Sequence, residues 1–138
     1  MDQAYAHVRD YGVDGVLVGR ATYGNPFFFH PGRSPGAAEV ELEAAEVFEL
    51  AEIMVEHAHC YEQTYHHYEK YHFSPMRKHM NWYARRMHGG KKLRVPMMQS
   101  NSTAEVAQIL TEQGYLIPNR DVASINAPSM PEVQRIAA

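Results

Sequence analysis

The sequence predicts a mainly α-helical protein in which a short helix and one buried strand precede a helical bundle. Apolar residues recur every three or four positions through most of the chain, which is the period of amphipathic helices. One short apolar run, residues 15–18, begins and ends beside glycine and fits a strand of a parallel sheet. Proline and glycine cluster after position 30, so we expect a boundary there. A chain of 138 residues can bury one core and hardly more.

The first element is predicted to be a helix over residues 2–11. Ala4, Val8 and Tyr11 lie at helical spacing, and Gly12 follows where a helix C-cap is expected. A helix that leads into a buried strand is half of a strand–helix–strand unit, and the strand that should precede it is missing. A lone strand leaves its backbone groups unpaired. We therefore expect residues 15–18 to pair with something outside this chain, or the chain to be a truncated product.

Gly19 and Arg20 stand at the carboxyl end of the predicted strand and form a candidate phosphate site. Glycine lets a ligand approach the backbone closely, and the arginine guanidinium offers a rigid fork of donors. A helix that opens directly after them would present free N–H groups to the same anion. A tight turn with a solvated arginine is the alternative explanation.

A long helix is predicted after the turn formers of residues 31–37, which we interpret as a linker. Its apolar stripe comprises Val40, Ala44, Val47, Ala51, Met54, Ala58, Tyr61, Tyr65 and Tyr68. Glu56 with His59, and Glu69 with His72, match the spacing of di-iron bundles, but no other segment repeats that motif. A solvated or tyrosine-packed histidine face is the favoured explanation, and Cys60 is expected to be a buried small side chain.

The next helix is predicted to begin with Ser74 as N-cap and Pro75 as its first residue, and to end at Gly89 and Gly90. Its predicted buried stripe comprises Met76, Met80, Tyr83 and Met87, and its polar arc comprises Arg77, Lys78, Asn81, Arg85 and His88. Residues 96–101 are expected to form a break. A capping box over residues 102–105 then starts a last helix that stops at Gly114, and residues 118–138 are expected to be an irregular tail.

Positive charge is concentrated in the span from 74 to 104. Seven of the thirteen Lys and Arg residues lie there and no Asp or Glu does, although the whole chain has a formal net charge of −3. Such a surface attracts polyanions, so we expect nucleic acid as a partner. The alternative is a basic face balanced by the acids of the preceding helix. Trp82 lies among these cations and is either a stacking surface for a base or part of the core.

Two separated motifs resemble those of the tRNA-dihydrouridine synthases. The first, "DGV-x-x-GRA-x-x-GNP", covers residues 14–26. The second, "MRKH-x-x-x-Y" followed by "G-x-K-x-LR", starts at Met76 and ends at Arg94. These enzymes carry FMN in a (β/α)8 TIM barrel, followed by a C-terminal helical domain. The resemblance covers roughly residues 2–115.

The resemblance implies a role for each part of the chain. Residues 1–30 would be the last helix and strand of the TIM barrel, in which Gly19 and Arg20 hold the FMN phosphate. Residues 38–117 would form the helical tRNA-binding domain. Its expected contacts with the tRNA backbone are Arg77, Lys78, His79 and Arg85. The implied reaction is reduction of a tRNA uridine to dihydrouridine, with NADPH as the reductant of FMN.

The chain departs from the family pattern because the catalytic cysteine and its supporting residues belong to strands that precede Met1. Cys60 does not match the catalytic position, so we assign no catalytic residue and no metal ligand in this chain. We expect the chain alone to be inactive and to hold FMN weakly or not at all. A stand-alone helical RNA-binding module and a histidine-rich metal bundle are the other hypotheses. The composition favours a cytoplasmic protein with no membrane segment.

Overall fold

The computed structural model describes residues 2–30 and 44–117, and these residues are mainly helical with no strand among them. The α-helices are α1 (Asp2–Tyr11), α2 (Ala44–Tyr65), α3 (Ser74–Ala84), α4 (Arg94–Gln99) and α5 (Thr103–Glu112), and 3-10 helices span Arg20–Thr22 and Gly90–Leu93. The predicted linker, residues 31–37, and the predicted tail, residues 118–138, lie outside the described residues. No described helix is both long and apolar enough to cross a membrane.

Helices α2 to α5 pack around one apolar core. Helix α2 contacts α3 and α5, and α4 contacts the same two helices. The core comprises Val47, Leu50, Ala51, Met54, Val55, Ala58, Phe73, Met76, Met80, Tyr83, Ala84, Met87, Leu93, Met97, Val106, Leu110 and Tyr115. The predicted stripe of α2 is confirmed from Val47 to Ala58, because each of its members in that stretch is buried.

The carboxyl end of α2 differs from the prediction. The helix ends at Tyr65, while Tyr65 and Tyr68 are 45% and 59% exposed. Tyr61 is half-buried, and its hydroxyl donates a hydrogen bond to the carbonyl of His72 at 3.2 Å. The described part of the bundle ends near Tyr61, so the later tyrosines pack mainly on one another, with a ring separation of 6.1 Å between Tyr65 and Tyr68.

Helix α3 begins and ends at other residues than the sequence predicts. Phe73 is the N-cap and Ser74 is already helical, with its hydroxyl 2.8 Å from Nδ1 of His72 instead of on the helix backbone. The helix ends at Ala84. After it the chain folds back and brings Gly90 so close to the Ala84 carbonyl that a Cβ on residue 90 would overlap the carbonyl oxygen. The predicted stripe is nevertheless buried throughout, and Met87 reaches the core from the turn after the helix.

The break predicted over residues 96–101 is wrong for its first part, because α4 spans Arg94–Gln99. Pro96 lies in the first turn of α4, where a backbone N–H has no intrahelical partner and its absence costs little. Met97 is fully buried and anchors the helix in the core. The extended backbone begins only at Ser100.

The start of α5 confirms the predicted capping box in modified form. The hydroxyl of Ser102 accepts a hydrogen bond from the backbone N–H of Glu105 at 3.2 Å. The carboxylate of Glu105 accepts in turn from the N–H of Asn101, at 2.9 Å, instead of from Ser102. The helix ends at Glu112, and Gly114 follows with a φ of 77°, as the sequence predicts.

The N-terminal helix is confirmed, but the buried strand after it is not. Gly12 has a φ of 62°, and its N–H donates to the carbonyl of Val8 at 3.1 Å. Residues 15–18 form no strand, and Leu17 is 98% exposed. The described residues provide no second strand, so the backbone has nothing with which to form a ladder. The prediction of a buried strand is therefore wrong for this chain as described.

The aromatic turn at residues 23–28 packs directly on the bundle. The ring of Tyr23 stacks on Trp82 of α3, with 4.1 Å between centroids and 11° between planes. Gly24 has a φ of 66°, and a Cβ there would overlap the backbone of Trp82. Phe28 is buried, and Phe27 packs against the core. This turn therefore joins the N-terminal segment to α3.

The two serines at predicted helix starts provide a matched test of these caps. We expect Ser102→Ala to lower the free energy of unfolding by about 1 kcal/mol, because it removes the hydroxyl that accepts from Glu105. Ser74→Ala should change it by less than about 0.5 kcal/mol, because Ser74 caps nothing. Urea denaturation followed by circular dichroism measures both. Equal losses for the two variants would show that Ser74 is the N-cap after all.

Candidate nucleic-acid interface

The positive charges of α3 and the following turn are largely free of acidic partners. The side chains of Lys78, Arg85, Lys91 and Arg94 are exposed. Within residues 2–30 and 44–117, the cations between 74 and 104 form no salt bridge, whereas Arg9 pairs with Asp10 at 2.8 Å. The described structure therefore does not support a basic face neutralised by the acids of α2. Unpaired cations of this kind are suited to phosphate contacts.

Arg77 is used within the bundle. Its Nε donates to the carbonyl of Ser100 at 2.9 Å, and its Nη2 donates to the side-chain oxygen of Asn101 at 2.6 Å. These bonds tie α3 to the extended segment between α4 and α5. The guanidinium has five N–H donors, so part of its capacity stays available. The structure thus gives Arg77 a structural role in addition to the predicted RNA contact.

The other predicted RNA contacts differ in how exposed they are and in whether neighbouring rings hold them. Arg85 is the exposed C-cap of α3, and no contact fixes its guanidinium among the described residues. Nζ of Lys78 lies 5.9 Å from the centre of the Trp82 ring, a distance at which a cation is still attracted to the ring face. His79 is half-buried, and its ring meets Trp82 edge to face at 4.9 Å. Arg85 and Lys78 are therefore the accessible cations of the predicted set.

Two histidines form the common wall of two adjoining cavities at the seam between α2 and α3. The rings of His57 and His79 are 5.2 Å apart, and Nδ1 of His57 lies 2.9 Å from the hydroxyl of Tyr83. One cavity, of about 290 Å³, is lined by Thr22, Tyr23, Gly24, His57, His79, Trp82 and Tyr83. The other, of about 390 Å³, is lined by His57, Cys60, Tyr61, Thr64, Tyr65, Pro75, Met76 and His79. We call these two cavities together the histidine groove.

Burial favours the neutral form of both groove histidines. It lowers the pKa of His57, and it lowers the pKa of His79 with further contributions from the positive charges of His57 and Lys78. Burial also raises the pKa of the Tyr83 phenol, so its hydroxyl stays protonated. At neutral pH the groove thus presents uncharged hydrogen-bonding groups beside an exposed lysine.

Trp82 does not offer a free ring face for stacking. Tyr23 covers it in a near-parallel stack, His79 meets it edge to face, and Lys78 lies over it. Of the two alternatives that the sequence leaves open, the structure favours the packing role. Trp82 connects α3 to the turn that follows the candidate phosphate loop.

The candidate phosphate loop is open to solvent. Gly19 and Arg20 are both exposed, and the carbonyl of Gly19 accepts hydrogen bonds from the N–H and the hydroxyl of Thr22 at 3.0 and 2.8 Å. The helix predicted after the loop is only the three-residue Arg20–Thr22 turn. Tyr23 follows directly and reaches Trp82, so the loop and the basic helix α3 are joined by one stacking contact.

Sequence reasoning missed the groove but noted some of its members. His57 follows the buried Met54 by three positions, so helical spacing alone would place it at the edge of the buried stripe. The described residues contain no group of three side chains that could hold a metal ion. Cys60 is exposed and lines the groove, so the prediction of a buried cysteine is wrong.

The groove histidines predict a decline in stability at acidic pH. Because the folded-state pKa of each is below 6.5, the unfolded chain binds protons first as pH falls. Their contribution to stability is complete above pH 6.5 and is lost as pH falls through the folded pKa. NMR titration of the ring protons should give midpoints below 6.5 for both, and His79→Phe should remove its share of the pH dependence of unfolding. A His79 midpoint above 6.5 contradicts this assignment.

Sequence comparisons place this arrangement in a known family. A profile described as "Dihydrouridine synthase (Dus)" matches residues 1–116, which include both the candidate phosphate loop and the basic helix α3. A "Probable tRNA-dihydrouridine synthase" of Staphylococcus epidermidis is 31% identical over 100 residues, which are 72% of this chain and 28% of that protein. A protein of the same description in Staphylococcus aureus is 30% identical over 102 residues, 74% of this chain and 28% of the relative.

The chain thus spans little more than a quarter of the length of these curated relatives. No solved structure is significantly similar to it. The profile match covers most of the chain, and the relatives carry the same description over nearly three quarters of it. The chain belongs to the dihydrouridine synthase family.

Proposed function

We propose that this chain supplies the phosphate loop and the tRNA-binding helices of a cytoplasmic tRNA-dihydrouridine synthase. The observation that carries the proposal is the family match over residues 1–116, which covers Gly19, Arg20 and the cations of α3. The bundle of α2 to α5 binds the tRNA backbone, with Lys78 and Arg85 as the accessible cations and Arg77 and His79 beside them. The substrate is a uridine of tRNA, and the product is dihydrouridine.

The residues at the phosphate loop fit the phosphate end of FMN. Arg20 is exposed, and its side chain forms no hydrogen bond or ion pair with the described residues, so its donors are available. A Cβ built at Gly19 would meet no atom within 4 Å, which leaves the backbone open to a ligand. In this proposal Gly19 and Arg20 hold the FMN phosphate. When bound, FMN supplies the hydride that reduces the C5–C6 bond of uridine, and NADPH restores the reduced flavin.

The exposed apolar surface of the N-terminal segment supports a barrel role for residues 1–30. Tyr5 and Tyr11 of α1 are 65% and 72% exposed, and Leu17 is 98% exposed. Large apolar side chains left exposed along one segment are suited to contact with a covering partner. We infer that this partner is the remainder of a TIM barrel, which would also carry the catalytic cysteine. The isolated chain is then inactive.

The second candidate function is an RNA-binding module that acts without catalysis. The observation that favours it is the unpaired positive charge on α3 and the turn after it, which needs no barrel to attract RNA. This module would bind tRNA with a steep salt dependence and would bind no flavin. The two candidates therefore share the RNA surface and differ at Gly19 and Arg20.

Single substitutions separate the RNA contact from the structural role of the arginines. We expect Arg85→Ala to weaken tRNA binding and to reduce the slope of log affinity against log salt by about 0.9, because one phosphate contact is lost. Arg77→Ala should lower the free energy of unfolding by about 1 kcal/mol, because its bonds to Ser100 and Asn101 are lost. Fluorescence anisotropy with a tRNA transcript and urea denaturation measure the two effects.

The control for this experiment is Lys70→Ala, which removes the same charge from an exposed position outside the basic span. It should leave the salt slope unchanged. If Arg85→Ala and Lys70→Ala have the same effect on tRNA affinity, net charge alone governs binding and α3 is not the contact surface.

The flavin assignment is tested by reconstitution with the rest of a synthase. We expect the 138-residue chain alone to show no stoichiometric flavin absorbance after incubation with FMN and gel filtration. Fused after the N-terminal part of a homologous synthase, it should retain FMN, and Arg20→Ala in that fusion should lower FMN retention about tenfold or more, since a charge-assisted phosphate contact is removed. A stoichiometric flavin spectrum for the chain alone contradicts the proposal that the barrel is required.

A further inference from the structure

We propose that the histidine groove between α2 and α3 is a binding site for one unpaired nucleobase of the RNA. This inference rests on the proposed function, in which the neighbouring cations contact the RNA backbone. It adds a base-recognition element to a surface that otherwise attracts any polyanion.

The groove has the dimensions and the lining of a site for a small planar ring. Its two cavities, of about 290 and 390 Å³, lie near the lower end of the range for small-molecule sites. Aromatic rings supply much of the walls: Trp82, which is covered by Tyr23, closes one side, and Tyr61 and Tyr65 supply rings on the other. Unpaired RNA bases are recognised by stacking on such rings together with hydrogen bonds to their edges.

Two histidines supply hydrogen-bonding groups at the centre of the groove. His57 uses Nδ1 for the Tyr83 hydroxyl, which leaves its Nε2 for a ligand. The ring nitrogens of His79 have no hydrogen-bond partner among the described residues, although the ring is held against Trp82 and His57. A neutral imidazole offers one donor and one acceptor, which matches the mixed edge of a base. The two rings are thus positioned by packing and still have free polar atoms.

The charge around the groove favours a nucleotide over other planar ligands. None of the residues that line the two cavities is Asp or Glu, so no carboxylate repels a phosphate. Lys78 lies one position before His79 and places its ammonium over the Trp82 ring, 5.9 Å from the ring centre. A base in the groove would thus have a cation within reach of its phosphate. Because the burial of His57 and His79 favours their neutral forms, the groove itself suits the base rather than the phosphate.

The test compares two five-nucleotide single-stranded RNAs, one that carries uracil at its central nucleotide and is abasic at the other four, and one that is abasic at all five. Trp82 is the only tryptophan in the chain and lines the groove, so its emission reports occupancy. We expect the RNA with the single uracil to bind about fivefold or more tightly than the fully abasic RNA, because the abasic strand lacks the base contact. The RNA with the uracil should also alter Trp82 emission more strongly. His79→Phe should remove this difference, because it keeps a ring against Trp82 and deletes both nitrogens.

Two control variants show whether the effect belongs to the groove. Arg85→Ala should lower the affinity for both RNAs by the same factor and preserve the ratio between the two affinities. His67→Ala removes an exposed histidine outside the groove and should change neither. Equal affinity of the native chain for the two RNAs, or an unchanged difference in His79→Phe, overturns the proposal. Thermal unfolding of each variant excludes loss of fold as the cause.

A titration with uridine 5′-monophosphate separates this proposal from the proposed function. Chemical-shift changes at the ring protons of His57 and His79 support the groove even if longer RNA fails to bind, in which case the tRNA-binding function has failed alone. If RNA binds tightly but neither the mononucleotide nor the pentanucleotide shifts the histidine ring signals, the tRNA surface is supported and the base site is overturned. If the histidine ring signals do not shift and no RNA binds, both the tRNA-binding function and the base site are overturned.

Discussion

The packing of α2 against α3 and α5 is the contact on which the rest of the structure depends. Leu50, Met54 and Ala58 of α2 are completely buried, and they face a core to which every described helix of the bundle contributes. Five of the eight methionines of the chain lie in this core: Met54, Met76, Met80, Met87 and Met97. Unbranched, flexible side chains fill irregular gaps well. This accounts for the high methionine content in a bundle built from short helices and tight turns.

The same packing creates the candidate site at its edge. Because α2 and α3 share the core, His57 is brought to Tyr83 and His79, and their rings are ordered by neighbours that belong to the fold. The exposed cations stand on α3 and on the turn after it, where no acidic side chain of the described residues neutralises them. One side of α3 thus supplies buried core residues, and the opposite side supplies exposed cations. The groove forms where the two sides meet.

Sequence alone predicted the features that depend on near neighbours. The buried stripes of α2 and α3, the C-cap at Gly12 and the Ser102 cap all follow from spacing within a few turns. The sequence predicts a break at Pro96 because proline disrupts a helix interior, whereas the first turn of α4 tolerates it. The fate of residues 15–18 depends on strands that the described structure does not contain.

The site was predictable in composition but not in arrangement. The cations of α3 are visible as a charge cluster, and Gly19 and Arg20 are visible as a glycine–arginine pair after an apolar run, to which the family resemblance added FMN as the ligand. Nothing local indicates that Arg77 would be tied to Ser100, or that Trp82 would stack on Tyr23, because these contacts join residues far apart in the sequence. Helical spacing indicates which face of α2 is buried, but it does not reveal which side chain of another helix that face meets.

The turn at residues 23–28 determines where this chain can be divided into separately folding units. A cut within residues 31–37, the boundary that composition suggests, would remove Tyr23 from Trp82 and Phe27 from the core and expose the surface that they cover. The smallest helical unit that keeps these contacts therefore includes the turn and begins before Tyr23.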